Sequence, residues 1–586
     1  MVFNAGNSMK MANSSRKPLL RLLILLPLLL VACKEKKSGN QQNKDIPWYK
    51  TATIYSLEVG TFKDSNGDGI GDFKGLTEKL GYIDSLGANT IWLAPIMPSP
   101  GKDDGYDVTD FYSVNPKFGT MKDFREFLRE AKKRKIRVLM DLVLNHTSDE
   151  HPWFRAARKD STSKYRLWYV WADKKPKDAN LGMVFPGVQK ETWSYDSVAH
   201  KYYFHRFYKF QPDLNYGNPD VQQESFKILK FWLKQGVDGY RLDAMPFIID
   251  LPETGSENPD RMIQLVAEMR RQVQSVKSDA LLLGEANLSP KENKDYFGEE
   301  NDGLQMMFNF YANQYLFYAL ASADVKPLVT ALEDTKKKPQ AAQWGYFLRN
   351  HDEIDLARLS EDQRNLVYAK FGPDTTMQLY DRGIRRRLAP MLNNPQLLRM
   401  AYSLLFSLPG TPVVRYGEEL GMGDDLRLKE RLSVRTPMQW SSAKNAGFST
   451  SHKPFRPVIS HGNFDYKKIN VQSELADNNS LLNFIKQLIQ LRKECPEIGI
   501  GSFTLPKTNS EHVLALLVSY GEKSTLVLHN FSPKTETVEV RLPDNQHGTL
   551  MPLLPVKSTQ KVNTEGKIVL KMGAYAYQWY RFAKQE

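Results

Sequence analysis

The sequence predicts an α/β protein: a (β/α)8 TIM barrel with an inserted domain after strand 3 and a C-terminal antiparallel β-sandwich. From residue 48 onward, β-rich apolar runs alternate with helical patterns, as expected for a parallel sheet built from βα units. A stretch rich in Trp, Tyr and His interrupts this alternation at residues 147–220. From about residue 503, short runs of alternating polarity separated by turn residues indicate the sandwich.

The barrel prediction rests on eight apolar runs of strand length. Eight consecutive βα repeats are the number that closes such a barrel. Between the second and third runs, Thr120 and Asp123 match a helix-capping pattern, and apolar residues follow at helical spacing. The predicted strands are residues 53–59, 90–94, 137–144, 239–243, 281–285, 306–310, 345–348 and 412–416.

The N-terminus has the layout of a secretory signal peptide. Basic residues precede an apolar run at residues 19–32, which is shorter than the ~20 apolar residues that span a bilayer. The run ends in Leu-Val-Ala-Cys33, which resembles the bacterial lipoprotein box and implies cleavage before Cys33 and lipidation of its thiol. We therefore expect a protein of the bacterial cell envelope, attached to a membrane through a lipid anchor only. An uncleaved anchor or a buried start is the alternative.

The length and the pattern together predict the domain boundaries. The 586 residues exceed what one hydrophobic core usually supports, so several structural units are expected. These are a lipoprotein signal peptide at 1–32, the lipidated cysteine and a polar tether at 33–46, the barrel at 47–146 and 221–500, the inserted domain at 147–220, and the sandwich at 501–586.

The formal net charge of +13 does not indicate nucleic-acid binding. The first 32 residues contain basic residues and no acid, and further along the chain basic residues are interspersed with acids, as on an ordinary solvated surface. The chain has two cysteines, Cys33 and Cys495, so lipidation of Cys33 leaves no pair for an internal disulfide.

Polar side chains occur at the C-terminal ends of four predicted strands, where the active sites of TIM barrels lie. Arg241 and Asp243 stand two residues apart on one strand, so both side chains project from the same face. A guanidinium beside a carboxylate favours the ionised form that a nucleophile requires. The four segments are DLVLNH at 141–146, GYRLDA at 239–244, LLGEAN at 282–287 and RNHDE at 349–353.

In this order, and with QPDLN at 211–215, these segments resemble the signature regions of the α-amylase superfamily of retaining glycosidases. The resemblance extends from about residue 48 to the C-terminus. It implies that Asp243 is the nucleophile, Glu285 the general acid/base, and Asp352 the carboxylate that grips sugar hydroxyls and stabilises the transition state. In such enzymes an acid protonates the leaving oxygen while a carboxylate attacks the anomeric carbon, which gives a covalent intermediate and net retention.

The same resemblance implies further residues that bind substrate. His146 and His351 are expected to hydrogen-bond sugar hydroxyls in the first subsite, and Arg241 to position the nucleophile. The segments Gly-Tyr106-Asp107 and VRTPMQW at 434–440 are similar to those of exo-acting α-glucosidases and trehalose synthases. By that likeness Tyr106 stacks on the sugar ring, while Asp107 and Arg435 pair around the terminal glucose and close the pocket.

A closed pocket favours short substrates. The expected activity is hydrolysis or transglycosylation of maltose, maltooligosaccharides or related α-glucosides. Interconversion of maltose and trehalose at the same site is the alternative, because NHTSDEHPWFRAAR at 145–158 and GIRRRLAP at 383–390 resemble trehalose synthases. A catalytically inactive glycan-binding surface protein is a more distant alternative.

Two structural metal sites are also expected, for Ca²⁺ or Mg²⁺, with no organic cofactor. Oxygen-bearing residues alternate with turn residues in a loop similar to the metal loop of oligo-1,6-glucosidases, although an Asx-rich turn without metal is the alternative. Asn145 and Asp213 match positions that hold a second calcium ion in members of the family, and Asp250 is expected to complete that site. The ligands expected in the loop are Asp64, Asn66, Asp68, Ile70 and Asp72.

Overall fold

The structure of the protein is a computed structural model that describes residues 46–248 and 259–583. The predicted signal peptide, the predicted lipid-modified Cys33 and the predicted metal ligand Asp250 lie outside the described residues. None of the helices in the described ranges combines the length and the apolar character needed to cross a bilayer.

The strands of the described residues follow the predicted order along the chain. Their bounds are β1 Ile54–Leu57, β2 Thr90–Leu93, β3 Arg137–Leu142, β4 Trp171–Ala172, β5 Trp193–Asp196, β6 Lys201–Phe204, β7 Gly239–Leu242, β8 Leu281–Gly284, β9 Met306–Phe308, β10 Gln343–Phe347, β11 Ile354–Asp355, β12 Gln378–Leu379, β13 Gly383–Ile384, β14 Thr411–Arg415, β15 Ser502–Thr504, β16 Lys507–Thr508, β17 Val513–Tyr520, β18 Lys523–Asn530, β19 Glu536–Arg541, β20 Gly548–Leu554, β21 Gln560–Val562, β22 Lys567–Met572 and β23 Tyr577–Phe582.

Helices connect the barrel strands and cover the outside of the barrel. Their bounds are α1 Val59–Phe62, α2 Phe73–Glu78, α3 Leu80–Leu86, α4 Met121–Lys133, α5 Pro152–Lys159, α6 Pro219–Gln235, α7 Pro259–Gln274, α8 Asn293–Phe297, α9 Phe310–Ser322, α10 Lys326–Asp334, α11 Glu361–Phe371, α12 Leu388–Leu392, α13 Pro395–Ser407, α14 Val471–Ala476, α15 Leu481–Glu494 and α16 Glu497–Ile500. Before α4, Thr120 and Asp123 form the predicted capping box.

Eight strands close into a parallel barrel, as predicted, in the order β1-β2-β3-β7-β8-β9-β10-β14. The barrel interior is filled by apolar side chains such as Leu139, Leu283 and Phe347. Such packing makes the barrel a solid support rather than a pore. The strand register pairs Asp141 of β3 with Arg241 of β7. These two residues therefore lie side by side at the charged centre of the site.

The remaining sheets are antiparallel. In the stretch between β3 and β7, the three strands β4, β6 and β5 form one small sheet. After β10, the short strands β11, β13 and β12 form another, which the sequence patterns did not predict. C-terminal to the barrel, a six-stranded sheet (β15-β17-β18-β23-β20-β21) and a three-stranded sheet (β16-β19-β22) share one apolar core, as a β-sandwich does.

Candidate active site

The ends of the barrel strands meet at one cavity of about 410 Å³, which is within the range of small-molecule sites. Asp243 follows β7, Glu285 follows β8 and Asp352 follows β10, and all three carboxylates line this cavity. The barrel therefore brings together, at its C-terminal end, three residues that lie far apart in the sequence.

Arg241 is the charged centre of the cavity floor. Its Nη1 lies 2.5 Å from Asp243 Oδ1, and its Nη2 lies 2.5 Å from Glu285 Oε1. Nη1 also donates to Asp141 Oδ1 at 2.9 Å. One guanidinium, only 1% exposed, thus holds three carboxylates and fixes the orientation of the two that face the cavity.

Burial raises the pKa of both carboxyl groups that Arg241 holds at the cavity. The pKa of Asp243 rises to about 7, because burial outweighs the opposing charge of Arg241. The pKa of Glu285 also rises to about 7 through burial, which Arg241 opposes and Asp243 reinforces. Arg241 does lower the pKa of Asp243, as predicted, but burial has the larger effect. The net shift in the pKa of Asp243 is therefore upward. Near neutral pH the pair holds about one proton, as one nucleophile and one acid require.

Asp352 lies in the opposite electrostatic environment. Its Oδ1 contacts Arg431 at 2.8 Å and Arg435 at 3.0 Å, and its Oδ2 contacts His351 Nε2 at 3.1 Å. Burial alone raises the pKa of Asp352, but His351 and the two arginines together hold it well below its usual range. Asp352 therefore stays ionised and gives this part of the cavity a fixed negative charge.

Tyr106 and the two predicted histidines form a connected group. The Tyr106 hydroxyl donates to Asp141 Oδ2 at 3.0 Å, and its ring stacks on His351 with 5.5 Å between centroids. His146 Nε2 lies 2.9 Å from the Tyr106 carbonyl oxygen. Burial lowers the pKa of His146 to about 4 and that of His351 well below its usual value, so both rings are neutral at pH 7. Tyr106 and His146 line the cavity.

The predicted pairing of Asp107 with Arg435 is wrong. Asp107 is buried in its own loop, where its carboxylate accepts hydrogen bonds from a serine hydroxyl and two backbone N–H groups. The Asp107 carboxylate is therefore held within its own loop and forms no ion pair with Arg435. Arg435 pairs instead with Asp104 at 2.9 Å and with Asp352.

The residues that close the cavity are Asp103 and Arg431, which sequence reasoning missed. Arg431 joins Asp103 at 2.9 Å to Asp352 at 2.8 Å, and we call these three residues the end wall. Asp103 and Arg431 also line a neighbouring cavity of about 270 Å³, so their ion pair separates the two spaces. Two arginines four residues apart, Arg431 and Arg435, were the signal available in the sequence.

Aromatic side chains supply the apolar part of the cavity, and sequence patterns did not single them out. Phe185 and Phe207 come from residues 147–220, Phe247 follows β7, and Phe310 begins α9. Aromatic rings bury the apolar faces of a ligand while the carboxylates bind its polar edge. The lining therefore suits a small ligand with both polar and apolar faces.

The predicted metal loop is folded around Asp64, whose carboxylate accepts three backbone N–H groups, including that of Gly69. Asn66 and Asp68 each accept the N–H two residues further on. Asp72 caps α2 instead. In the ranges that the structure describes, no three His, Cys, Asp or Glu side chains converge as a metal-ligand group. The oxygen donors of Asp64, Asn66 and Asp68 fit a hard cation in their chemistry.

At the second predicted metal position, Asn145 and Asp213 are in direct contact. Asn145 Nδ2 donates to Asp213 Oδ2 at 3.1 Å, and Asp213 Oδ1 accepts from the backbone N–H of Arg206 at 2.9 Å. These bonds join the end of β3 to residues 206–213 of the inserted stretch. The third expected ligand, Asp250, is outside the described residues.

Known proteins resemble this chain over most of its length. The alpha-amylase catalytic domain family matches residues 59–501. A trehalose synthase of Thermus thermophilus is 40% identical over 535 residues, covering 90% of this chain and 55% of that protein, so the chain spans little more than half of this relative. An oligo-1,6-glucosidase of Parageobacillus thermoglucosidasius is 34% identical over 551 residues, covering 85% of this chain and 92% of that protein.

Solved structures agree with these sequence matches. The trehalulose synthase MutB from Pseudomonas mesoacidophila superimposes with a TM-score of 0.73 at 28% identity, covering 92% of this chain and 100% of that protein. The family match over more than half of the chain, the identities above 30% and the shared barrel all lead to one conclusion. The chain is a glycosidase-type enzyme that belongs to the α-amylase family.

Proposed function

We propose that this enzyme is a retaining α-glucoside hydrolase and transglycosylase that acts on maltose and short α-glucans by double displacement. The observation that carries the proposal is the contact of Asp243 and Glu285 with adjacent nitrogens of one guanidinium, at 2.5 Å each. Two carboxylates bound side by side favour the short separation of retaining enzymes, about 5–5.5 Å, over the wider one of inverting enzymes.

In the proposed mechanism each group has a role in the two steps. Protonated Glu285 gives its proton to the glycosidic oxygen while the Asp243 carboxylate bonds to the anomeric carbon, so the leaving sugar departs as an alcohol. Glu285, now ionised, then takes a proton from water or from a sugar hydroxyl. That oxygen attacks the anomeric carbon and releases Asp243 as a carboxylate. Arg241 keeps both side chains aligned, and ionised Asp352 stabilises the positive charge at the transition state.

The end wall supports a preference for short substrates cleaved at the chain end. Arg431 is bound to Asp103 and Asp352, so the cavity ends at this ion pair. A terminal glucose fits against such a wall. A glucan chain that continues beyond the cavity on both sides of the cleaved bond does not. Incubating the enzyme with maltose and separating the products tests the function: glucose indicates hydrolysis, longer glucans indicate transfer, and no turnover of any α-glucoside refutes the proposal.

The end wall makes a direct prediction. Arg431→Ala should lower kcat/KM for maltose and for p-nitrophenyl α-glucoside by about tenfold to 150-fold, the equivalent of a charged hydrogen bond worth about 1.5–3 kcal/mol. Amylose should suffer less, because long chains bind through other contacts as well. The measurement is kcat/KM against glucan length. An equal loss at every length, with long internal fragments released by the wild type, would replace the end-cleaving assignment with an endo-acting one.

Conversion of maltose to trehalose is the second candidate, and the 40% identity to a protein named trehalose synthase favours it. It requires that the freed glucose stays in the cavity and attacks the glucosyl-enzyme through its anomeric hydroxyl. Trehalose appearing in the maltose incubation, at a faster rate than free glucose, would show that this reaction dominates.

We also propose that the loop from Asp64 to Asp72 binds Ca²⁺ or Mg²⁺ as a structural ion. The loop offers Asp64, Asn66 and Asp68 oxygens and the Ile70 carbonyl as donors of the right kind. A chelator should lower Tm, and added Ca²⁺ or Mg²⁺ should restore it, because an ion that binds only the folded state stabilises that state. In Asp68→Asn the chelator effect should shrink. A Tm that neither chelator nor cation changes contradicts the proposal.

We further propose that the protein is anchored at the bacterial envelope by lipid on Cys33. The lipoprotein-like segment ending at Cys33 supports this. Cys33→Ser should release the protein from the membrane fraction or stop its processing. In this proposal the acyl chains on Cys33, and not a membrane-spanning helix, attach the protein to the membrane. Mass spectrometry of the mature wild-type N-terminus is the measurement. An unmodified thiol on a protein that does not sediment with membranes refutes the anchor.

A further inference from the structure

Beside the end wall, two tyrosines from separate segments meet one carboxylate. The Tyr208 hydroxyl, from residues 147–220, donates to Glu430 Oε2, and the Tyr380 hydroxyl, next to β12, donates to the same oxygen at 2.8 Å. The two hydroxyl oxygens are 3.0 Å apart. We call Tyr208, Tyr380 and Glu430 the clasp. It joins three segments of the chain: the inserted stretch, the small sheet after β10, and the loop after β14.

The backbone at the clasp is held in an unfavourable conformation. Tyr380, Asp381 and Glu430 have φ values of 57°, 52° and 42°, in the left-handed region that non-glycine residues rarely occupy. Such a conformation persists only where the surrounding contacts impose it. Arg385 supplies part of that constraint, because its Nη1 donates to the Glu430 carbonyl at 2.8 Å. The clasp is therefore a built feature and not a chance surface contact.

The clasp acts on the cavity through two residues that line it. The Phe185 ring lies 4.7 Å from the Tyr208 ring and 4.6 Å from the Tyr380 ring, between centroids. The Arg431 guanidinium lies 5.0 Å from the centre of the Phe185 ring and follows Glu430 directly in the chain. Phe185 and Arg431 line the catalytic cavity, whereas Tyr208 and Tyr380 do not. The clasp thus positions the cavity wall from outside without touching the reacting atoms.

We propose that the clasp sets how the glucosyl-enzyme divides between water and a sugar acceptor, an inference that rests on the proposed function. In both reactions Glu285 removes a proton from the attacking oxygen, that oxygen bonds to the anomeric carbon, and Asp243 leaves. The two outcomes use the same catalytic groups, so their ratio depends on which acceptor occupies the cavity. When Phe185 and Arg431 hold the cavity wall closed, the acceptor sugar is retained in the cavity and water is kept out. When the wall is loosened, water enters and competes with the acceptor sugar.

Conservative substitutions test the role of the clasp. Tyr208→Phe, Tyr380→Phe and Glu430→Gln each remove or weaken bonds to the shared oxygen with little change in volume. With maltose, each should raise the ratio of hydrolysis to transfer products by about tenfold, as expected for loss of a hydrogen bond to a charged group. Total turnover of p-nitrophenyl α-glucoside should stay within about twofold. The double variant of both tyrosines should match Glu430→Gln, because all three act through one carboxylate.

Tyr112→Phe is the matched control. It removes a Tyr–Glu hydrogen bond of the same kind, from Tyr112 to Glu224 at 2.6 Å, on the outside of the barrel. This variant should keep the wild-type product ratio. If the clasp variants also keep it, whether or not their Tm falls, the clasp is merely structural and the proposal is overturned. If the wild-type enzyme turns over α-glucosides and the clasp variants keep its product ratio, the proposed function stands and only the role of the clasp is refuted. If the wild-type enzyme turns over no α-glucoside, both proposals are refuted.

Discussion

Asp243→Asn is expected to abolish turnover and leave the fold intact. The substitution keeps the volume, and the amide oxygen can still accept from Arg241, which lies 2.5 Å from the present carboxylate. The uncharged amide is too weak a nucleophile to bond to the anomeric carbon, so the covalent intermediate does not form. Removal of a covalent nucleophile commonly costs on the order of 10⁴–10⁶ in kcat. Rates of glucose release from maltose and from p-nitrophenyl α-glucoside should both fall by this amount.

Asp238→Asn is a suitable control for this variant. Asp238 is a half-buried carboxylate that pairs with Lys277 and Arg137 at the other end of β7, away from the cavity. Its variant should keep wild-type rates, and both variants should keep the wild-type Tm within a few degrees. Asp243→Gly with azide should yield β-glucosyl azide from the aryl glucoside, because azide then attacks from the face that Asp243 has vacated. Comparable turnover in wild type and Asp243→Asn would remove double displacement as the mechanism.

The barrel and the carboxylates at its C-terminal end were predictable because each follows from a local pattern. A buried strand shows as an apolar run, and a reactive carboxylate at its end stands next to that run in the chain, as Asp243 and Glu285 do. All eight barrel strands form within the predicted stretches, apart from the first residues of β10 and β14. The predicted strand ends were therefore enough to locate the carboxylates that line the cavity, without knowledge of any tertiary contact.

The closing of the cavity was not predictable in the same way. Several acidic residues surround Tyr106 in one loop, and spacing alone does not say which of them faces the arginines. Gly105, with a φ of 107°, turns the chain so that Asp103 and Asp104 reach Arg431 and Arg435. Asp107 instead satisfies the N–H groups of its own loop. Such outcomes depend on tertiary contacts between distant segments, and no local pattern encodes them.

The net pKa shifts were also beyond sequence reasoning. The spacing of Arg241 and Asp243 correctly indicates contact, and contact with a guanidinium lowers a carboxyl pKa. The sequence does not show that the same guanidinium is shared with Asp141 and Glu285, nor how completely all of these groups are buried. Burial then decides the sign, and the pKa of Asp243 rises to about 7.

Glu285→Gln should separate the acid role from the nucleophile role. An amide cannot protonate the glycosidic oxygen, so turnover of maltose, whose leaving group is a poor one, should fall by about 10²–10⁴. A nitrophenolate leaves without a proton, so formation of the glucosyl-enzyme from the aryl glucoside should be much less affected. A burst of nitrophenolate followed by slow turnover, measured by stopped flow, is the expected result.

The pH profile of maltose turnover gives the most specific test, because the leaving group of maltose needs a proton. In the wild type, activity should fall below pH 7 as Asp243 takes up a proton and above pH 7 as Glu285 loses one, since both pKa values rise to about 7. Glutamine does not titrate, so Glu285→Gln should lose the alkaline limb. Its acidic limb should move to lower pH, because Arg241 then has one carboxylate fewer to neutralise and Asp243 no longer faces a second ionising group. With the aryl glucoside, azide should speed the slow turnover that follows the nitrophenolate burst in Glu285→Ala. The product should be α-glucosyl azide, the anomer opposite to that from Asp243→Gly. An unchanged alkaline limb in Glu285→Gln would mean that another group supplies the proton.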